Sequence, residues 1–595
     1  MKRNIIIFFA IGLFFTLGCE KLPVGNAFLS KAPGVDVTAD TVFSNIEYAE
    51  RFLWSAYRTL RYGLNTADAG GKDNLLRRDF LESITDLCQS YLKDGGAIRD
   101  YYNAGLTASE NDMSKYYLTA EGAFEGIREA YLFIDHIGRV PNVDPAYVRQ
   151  LKAEALMVIA CHYHEMYRNI GGAPSIFHAY SVTEVIDSIP RMTAQATCDT
   201  IVAMCDRAAK DLPWTVANVE EWDGRFTKAS AMGLKARILL FNASPLFNSG
   251  TPYLSGTASS RNITWHGGYD ANLWKNAMDA AHDLIAQVEA TNDYKMYHKA
   301  GNSYRQDFQD AYYKRGNGEI LISNRQMYKS PTTSSSSFSS TTTQGYYFYA
   351  SVTWGCGLCT QECIDMFPMA NGLPITDPAS GYNPDDPYIN RDPRLYETAR
   401  VNGDTYQGRP AELWIGGRDR TNATNTVAAT GYPMRKFILD ANVATSWGSV
   451  IQWPYLRLAE IYLSYAEASN EFNNGPDAEA YKCVNIVRNR VGLPDLTAGM
   501  TKEQFREQCL TERACEFAFE EVRWYDIIRW KREDIFRKRL HGCDITKSGT
   551  TLTYKIWELP ARFWNTSFSP KWYLSAIPSG EVLKGYGLVQ NPGWE

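Results

Sequence analysis

The sequence predicts a mainly α protein of stacked helix pairs, with one long loop-rich insert that carries short strands. Apolar residues recur at helical spacing through most of the chain, as in residues 226–245, where Thr227 can cap the helix start. A helix, a Gly-Pro turn and a second helix fill Ala459 to Gly492, a length of 34 residues that matches the tetratricopeptide period. Between about residues 292 and 453 the helical pattern gives way to Gly, Pro, Ser, Thr, Asn and aromatic residues.

Further helices extend this scaffold. Ala459 and Ala466 lie on a second face of their helix, so neighbouring helices can approach it from both sides, as they do in stacked pairs. The insert contains an alternating run at 319–328 that predicts a strand, and long irregular inserts on helical scaffolds usually carry function. The further predicted helices cover about residues 44–61, 110–138, 144–168, 193–211, 271–291 and 502–533.

The first residues have the features of a secretory signal. Lys2 and Arg3 precede an apolar run from Ile5 to Leu17, which is shorter than the ~20 residues that cross a bilayer. The small residue before Cys19 resembles a bacterial lipobox, in which this cysteine is lipidated and becomes the first mature residue. We therefore predict a lipoprotein signal peptide over residues 1–18 and lipidation at Cys19. Ordinary cleavage that leaves a free cysteine is the alternative.

Composition limits the classes of function. The net charge is −6 and the pI is about 5.9, which argues against a nucleic-acid-binding protein, since such proteins carry a basic excess or a basic stripe. The chain has 15 Trp and 37 Tyr residues, and aromatic side chains beyond the needs of a core favour recognition of flat apolar faces. No cofactor is predicted.

The cysteine and histidine patterns do not predict a metal site. Cys356, Cys359 and Cys363 form a C-x2-C-x3-C cluster without a fourth ligand at suitable spacing, so we interpret them as structural or disulfide-forming. His162 and His164 are two residues apart on a predicted helix. Residues at this spacing point about 200° apart, so the two imidazoles do not face one ion.

The insert contains a row of aromatic residues directly after a Ser/Thr-rich run at 332–343. Tyr346, Tyr347 and Trp354 belong to this row, and Gln344 stands beside them. A core strand would explain the rings alone, whereas an exposed platform also explains the polar run, because such tracts bury too little apolar surface to order themselves. Sugars pack a C–H face on aromatic rings and need polar groups at the edge, so we predict a sugar-stacking surface. Further candidate ligand contacts are Trp265, Trp414, Tyr101, Tyr102 and Asn103.

Several segments, in order along the chain, resemble the SusD/RagB family of outer-membrane lipoproteins of Bacteroidetes. Two of the distinctive segments are 453-WPYLRLAEIYLSYAEASN-470 and 574-LSAIPSGEVLKGYGLVQNPGW-594. The other segments that carry the resemblance are 153–176, 225–241, 371–395, 484–494 and 512–530.

This resemblance implies a right-handed superhelical scaffold of four tetratricopeptide-like helix pairs, packed with a loop-rich second part as one body. We assign residues 19–240 to the N-terminal helical part and 241–595 to the C-terminal part, which includes the insert at about 292–453. The resemblance also implies a lipid anchor at the outer membrane, facing the cell exterior, and no catalytic activity. The implied partner is a SusC-like TonB-dependent transporter barrel, over which such proteins act as a hinged lid that captures oligosaccharide or peptide.

Neighbouring carboxylates raise the alternative of a glycoside hydrolase. Glu512, Glu516 and Glu520 follow one another at i+4 on a predicted helix, and glycoside hydrolysis needs two carboxyl groups ~5 to 9.5 Å apart. The predicted i, i+3 ion pairs are Arg513 with Glu516, Glu520 with Arg523 and Asp526 with Arg529. Such pairs keep carboxylates ionised instead of raising the pKa of a general acid, so the structural interpretation is favoured.

The leading hypothesis is a lipid-anchored, non-catalytic protein that captures glycan at the cell surface and delivers it to a transporter barrel. The first alternative is a peptide-capturing relative with the same fold and partner. A glycoside hydrolase is the second alternative. A pure interaction scaffold would bind no small ligand.

Overall fold

The computed structural model describes most of the chain and confirms a mainly α protein. The described residues are 38–60, 62–63, 81–91, 97–109, 122–181, 183–325, 355, 357–424, 428–437 and 452–595. The α-helices, in chain order, are α1 (Ala39–Val42), α2 (Ile46–Arg58), α3 (Ala97–Asn103), α4 (Ala123–His136), α5 (Pro145–Ile170), α6 (Ala194–Asp211), α7 (Val219–Trp222), α8 (Lys228–Ala243), α9 (Thr257–Ser260), α10 (Asn272–Thr291), α11 (Tyr304–Tyr313), α12 (Gln361–Met366), α13 (Pro393–Thr398), α14 (Leu458–Phe472), α15 (Ala478–Arg490), α16 (Lys502–Phe517), α17 (Arg523–Arg529), α18 (Glu533–Arg537), α19 (Trp564–Ser567) and α20 (Ser579–Val582). The strands are β1 (Cys88–Gln89), β2 (Ile320–Arg325), β3 (Leu358–Cys359), β4 (Thr405–Tyr406), β5 (Arg409–Pro410), β6 (Tyr432–Pro433), β7 (Gln452–Arg457), β8 (His541–Ser548) and β9 (Thr551–Glu558).

Eight of these helices form four consecutive pairs, α2/α4, α5/α6, α8/α10 and α14/α15. Each helix of this series packs on the next one, so the pairs stack in chain order. The tetratricopeptide-like arrangement predicted from the 34-residue period is therefore confirmed.

Helices α8 and α14 show how the sequence specifies this stack. Thr227 and Ser230 form a capping box at the start of α8, in which each side chain accepts the backbone N–H of the other at 3.2 and 3.1 Å. Helix α14 packs against α8, α10, α15 and α16, and every residue from Leu458 to Glu471 is buried. The predicted approach of neighbouring helices to both faces of α14 is confirmed.

The helix predicted over residues 502–533 is wrong in its middle. The chain leaves the α conformation after Phe517, and both Phe519 and Glu521 adopt left-handed backbone angles, with φ of 60° and 58°. An L-residue in an α-helix does not adopt these angles. The backbone N–H of Glu521 instead donates to the Glu82 carboxylate at 2.6 Å, so a tertiary hydrogen bond replaces a helical one.

The insert is loop-rich and carries short strands, as predicted. Strand β3 lies between β1 and β6 in an antiparallel sheet, with Cys359 opposite both Cys88 and Tyr432. Strand β2 pairs with β7, and Asn324 lies opposite Trp453. The insert is thus joined through β1 to the N-terminal part of the chain and through β7 to the start of α14.

One contiguous apolar core extends from Phe43 near the N-terminus to Trp594 near the C-terminus. Helix α8 crosses residue 240, and the division into parts 19–240 and 241–595 stays a prediction. Within the part of the chain that the structure describes, no helix is long and apolar enough to cross a membrane.

Candidate functional site

The aromatic row of the insert and the predicted lipidation site belong to segments that the structure does not describe. Gln344, Tyr346, Tyr347 and Trp354 lie outside the described residues, and so does the predicted lipidation site Cys19. Their roles stay predictions.

Two other candidates are packed against the protein itself. Tyr101 is 3% exposed, and its ring lies 5.6 Å from that of Trp572 and 6.2 Å from that of Trp564. Tyr102 is half-buried, and its hydroxyl donates to the Ser83 carbonyl at 2.6 Å. The interpretation of Tyr101 as a candidate ligand contact is therefore corrected, because Trp564 and Trp572 cover its ring.

The remaining candidates are on the surface but belong to separate elements. Asn103 is exposed at the end of α3. Trp265 is half-buried, and its indole N–H donates to the Ser259 carbonyl at 2.9 Å. Trp414 is also half-buried, and the ammonium of Lys547 lies 4.0 Å from the centre of its ring. Each keeps some exposed surface, but no contact brings Trp265, Trp414 and Asn103 together.

The described ends of the insert are held against the first hundred residues. The side chain of Asn324 donates to the Tyr62 carbonyl at 2.9 Å, and the N–H of Tyr91 donates to the Gly355 carbonyl at 2.9 Å. A Cβ atom on Gly63 would lie 2.2 Å from the Trp453 indole nitrogen, so only glycine allows the chain to pass this close to β7. These contacts hold Asn324 and Gly355, near the two ends of the range 326–354, against the first hundred residues of the chain.

The carboxylates considered for hydrolysis are buried in an ion-pair network. Arg457 contacts Glu516 at 2.7 Å and Glu520 at 2.7 Å, and both carboxylates are almost fully buried. Burial alone would raise the pKa of Glu516, but the guanidinium groups of Arg490, Arg457 and Arg394 hold it well below its ordinary value. A carboxylate that stays ionised in this way does not act as a general acid, so Glu516 is structural. Glu520 is buried between the charged groups of Lys436 and Arg457 and is structural by its packing.

Of the three ion pairs that the helical spacing predicts, the pair between Asp526 and Arg529 forms, at 2.8 Å, and the other two are replaced. Arg513 contacts Asp526 at 2.9 Å instead of Glu516, and Arg523 contacts Asp86 at 2.8 Å instead of Glu520. The i, i+3 rule assumes one continuous helix. Because the helix breaks after Phe517, Glu520 and Arg523 do not lie on one helix. Arg513 and Glu516 do both lie on α16, but each of them pairs with a group from another element instead.

The two histidines of α5 are packing residues. Both are fully buried: His162 is hydrogen-bonded to Tyr62 and Thr59, whereas His164 is hydrogen-bonded to Tyr455. Burial lowers the pKa of His162 to about 3 and that of His164 to about 4. No group of His, Cys, Asp and Glu side chains in the described residues is arranged to hold a metal ion.

The cysteine cluster does not form a disulfide between its two described members. Cys359 and Cys363 are buried free thiols, and Cys356 lies outside the described residues. The pKa of the Cys363 thiol is raised above its ordinary value, first by its hydrogen bond to Cys359 and next by burial. Such thiols behave as small core residues, which supports the structural interpretation.

Glu82 and Glu521 form a buried carboxyl pair beneath the break between α16 and α17. Both are at most 5% exposed, and the N–H of Leu81 donates to the Glu521 carboxylate at 3.3 Å. Burial, and next the charge of Glu521, raise the pKa of Glu82 to about 8, and burial raises the pKa of Glu521 as well. Between pH 4.5 and about 8, the carboxyl group of Glu82 therefore stays protonated in the folded protein, whereas in an unfolded chain it has lost its proton.

This pair predicts that the folded protein loses stability as the pH rises from neutral to alkaline values. A raised pKa in the folded state gives stability that is present below the ordinary value of 4.5 and is lost as the pH rises through about 8. We expect the melting temperature to fall between pH 7 and pH 9, a range above the depressed histidine titrations, and we expect Glu82→Gln to reduce that fall. Thermal unfolding followed by circular dichroism measures it. Glu503→Gln, which changes an exposed carboxylate on α16, is the control; an undiminished fall in Glu82→Gln would contradict the prediction.

Comparison with known proteins identifies the family to which this architecture belongs. The SusD family profile matches residues 317–594, and the profile of a SusD-like family described as starch-binding and associating with the outer membrane matches residues 69–240. The chain belongs to the SusD/RagB family. The first of these two ranges to occur in the chain includes α4, α5, α6 and most of α8, and the second includes α14, α15 and the insert from residue 317 onward.

Relatives and solved structures agree with SusD membership. A SusD-like protein of Formosa agariphila is 23% identical over 458 residues, which are 72% of this chain and 75% of that protein. The crystal structure of a SusD-like protein from Bacteroides fragilis superposes with a TM-score of 0.71 at 23% identity, covering 95% of this chain and 100% of the other. A laminarin-binding SusD-like protein superposes with a TM-score of 0.61 at 18% identity, covering 93% and 100%. At these identities the structural likeness establishes the SusD fold alone.

Proposed function

We propose that this SusD-family protein captures glycan at the outer membrane and passes it, uncleaved, to a SusC-like TonB-dependent transporter barrel. Family membership is the observation that carries the proposal. One matched family is described as starch-binding and associating with the outer membrane, and one structural neighbour is described as laminarin-binding. The burial and pairing of Glu516 and Glu520 support a binding role over hydrolysis, because their charges are committed to the ion-pair network.

The proposed contact surface is the aromatic row of Gln344, Tyr346, Tyr347 and Trp354. Its support is chemical: aromatic rings offer faces for the C–H side of a sugar, and the Gln amide offers hydrogen bonds for hydroxyl groups. The hydrogen bonds at Asn324 and Gly355 support it further, because the segment between these residues is anchored at both ends. Trp265, Trp414 and Asn103 stay candidates for additional contacts.

The proposed location is the outer membrane, with lipidation at Cys19 and the glycan-binding face toward the cell exterior. A lipid on the first mature residue would tether the protein and leave it free to hinge on the barrel. Capture would occur in the open position and delivery in the closed one. No nucleic acid, metal or cofactor has a part in this scheme.

A binding screen tests the proposal. The chain from residue 20 onward is titrated by calorimetry with a panel of soluble polysaccharides and oligosaccharides, and every hit is assayed for products. Binding without cleavage is the expected result. Cleavage of a bound glycan would overturn the capture function, whereas stabilisation by peptides with no glycan bound would favour the peptide-capturing alternative.

Replacing Tyr347 and Trp354 together by Ala is expected to weaken glycan binding by at least about tenfold, since each lost aromatic face removes roughly 1.5 kcal/mol or more of apolar burial. The melting temperature should not change, because the rings of an exposed platform do not support the core. Calorimetry and thermal unfolding measure the two effects. Tyr48→Ala, which removes a 45% exposed ring on α2, is the control. Unchanged binding with a large loss of stability would show that both rings are core residues.

A further inference from the structure

A groove opens between helix α4, the loop at 174–189 and the C-terminal segment at 581–588. We call it the C-terminal groove. Its volume is about 260 Å³, which suits one sugar ring better than a helix or a strand. Its apolar and aromatic walls include Phe124, Ile176, Tyr180, Ile189, Tyr586 and Leu588.

The walls of the C-terminal groove are held in place by hydrogen bonds of the backbone. The N–H of Ile189 donates to the Tyr586 carbonyl at 2.8 Å, which joins the loop to the C-terminal segment. The hydroxyl of Tyr163, buried in α5, donates to the Ile176 carbonyl at 2.6 Å. The groove therefore exists before any ligand arrives, and binding would not have to order its walls.

Aromatic surface is exposed at the groove. Tyr586 is 38% exposed and Tyr180 is half-buried, so parts of both rings remain free for a ligand. Phe177, next to the groove in sequence, is 52% exposed. Exposed apolar side chains concentrated at one concave place indicate a binding surface rather than chance exposure.

The charges at the groove favour an anion. Arg128 and Lys584 contribute cations to its lining, whereas Glu581 contributes a carboxylate that Lys584 already pairs with at 2.7 Å. Arg128 is exposed on α4 and forms no ion pair with any residue that the structure describes. The lining thus has a cationic excess on a protein whose net charge is −6. The guanidinium of Arg128 acts electrostatically on the neighbouring Glu129 but is exposed beside an apolar wall. It is suited to a carboxylate or sulfate group, which it can bind through two parallel hydrogen bonds.

We propose that the C-terminal groove is a second glycan subsite, separate from the aromatic row of the insert, and that it binds an anionic sugar residue. The ring face of the sugar would pack on Tyr586 and Tyr180, and its carboxylate or sulfate would pair with Arg128. This inference rests on the proposed glycan-capture function and narrows its substrate class to acidic glycans. An apolar side chain from a partner protein would fill the walls but leave the guanidinium without its partner, so the sugar fits better.

Calorimetric titration of the chain from residue 20 onward with oligogalacturonate tests the subsite. We expect binding that weakens about tenfold in Arg128→Gln and in Tyr586→Ala, and that weakens similarly when the carboxylates of the probe are methyl-esterified. Arg139→Gln, a second exposed arginine beyond the other end of α4, and Tyr304→Ala, a 53% exposed tyrosine, are the matched controls and should bind as the wild type does. Melting temperatures of all four variants verify that they are folded.

A sulfated galactan oligosaccharide distinguishes the two sources of negative charge. If it binds in an Arg128-dependent way while oligogalacturonate does not, the anionic group is a sulfate and the subsite stands. If neither anionic probe binds, or if Arg128→Gln and Tyr586→Ala leave their affinities unchanged, the subsite is overturned. If only neutral glycans bind, and equally to the wild type and the variants, the subsite is overturned while glycan capture stands. Failure of every glycan to bind would remove both proposals.

Discussion

Glu516→Ala is expected to lower the free energy of unfolding by about 3–5 kcal/mol, the usual effect of removing one partner from a buried ion pair. The Glu516 carboxylate is fully buried and is shared by Arg394, Arg457 and Arg490. Its removal leaves three buried guanidinium groups with fewer counter-charges, and buried cations cannot be solvated by water. Urea denaturation followed by tryptophan fluorescence measures the change.

The matched control is Glu507→Ala, on the same helix α16. Glu507 also pairs with an arginine, Arg532, at 3.0 Å, but its side chain is 58% exposed. Exposed pairs contribute about 0–1 kcal/mol, so this variant should unfold close to the wild type. Similar losses in both variants would show that the network around Glu516 is not held together by its charges.

Gly431→Ala is expected to lower the free energy of unfolding by about 2–5 kcal/mol, because strain in the backbone and overpacking both contribute. Gly431 has a φ of 92°, a conformation that L-residues avoid, and a Cβ atom there would lie 2.2 Å from the Cys543 carbonyl oxygen. That oxygen belongs to strand β8 and cannot move without shifting the hairpin. The same urea titration measures the loss.

Gly403→Ala separates the two contributions. Gly403 has a similar φ of 85°, but a Cβ atom there would meet nothing within 4 Å. We expect only the conformational penalty of about 1 kcal/mol. If Gly431→Ala were no more destabilising than Gly403→Ala, the close approach of β8 to Gly431 would not constrain the fold.

Helix positions were predictable because the information is local. The long helices of the stack have apolar residues at helical spacing, and α2, α5, α6, α8 and α15 also have a polar side chain that caps the helix start. Helix α8, predicted over 226–245, is accordingly observed at Lys228–Ala243. The helix predicted at 502–533 breaks at Phe519 and Glu521, where no glycine or proline marks the sequence. The hydrogen bond that accompanies the break reaches Glu82, about 440 residues away in sequence, and no local pattern contains it.

The candidate ligand contacts also depend on packing that no local sequence pattern contains. Tyr101 and Trp414 are both candidate ligand contacts, and the sequence alone did not show which of the two rings is exposed. In the structure, Trp564 and Trp572 cover the ring of Tyr101, whereas Trp414 keeps part of its ring at the surface. The C-terminal groove was not predicted, because its walls come from three distant segments and its key cation, Arg128, has no sequence signal.

The sequence by itself determined the helix-pair scaffold, the loop-rich insert and the family, since periodicity, caps and family segments are written in consecutive residues. Only the tertiary structure decided which carboxylates are buried and with which arginines they pair. It also decided which aromatic rings face the core and where a groove remains open. These properties depend on which distant residues come within a few ångströms of one another, because desolvation and Coulomb interactions act through space rather than along the chain.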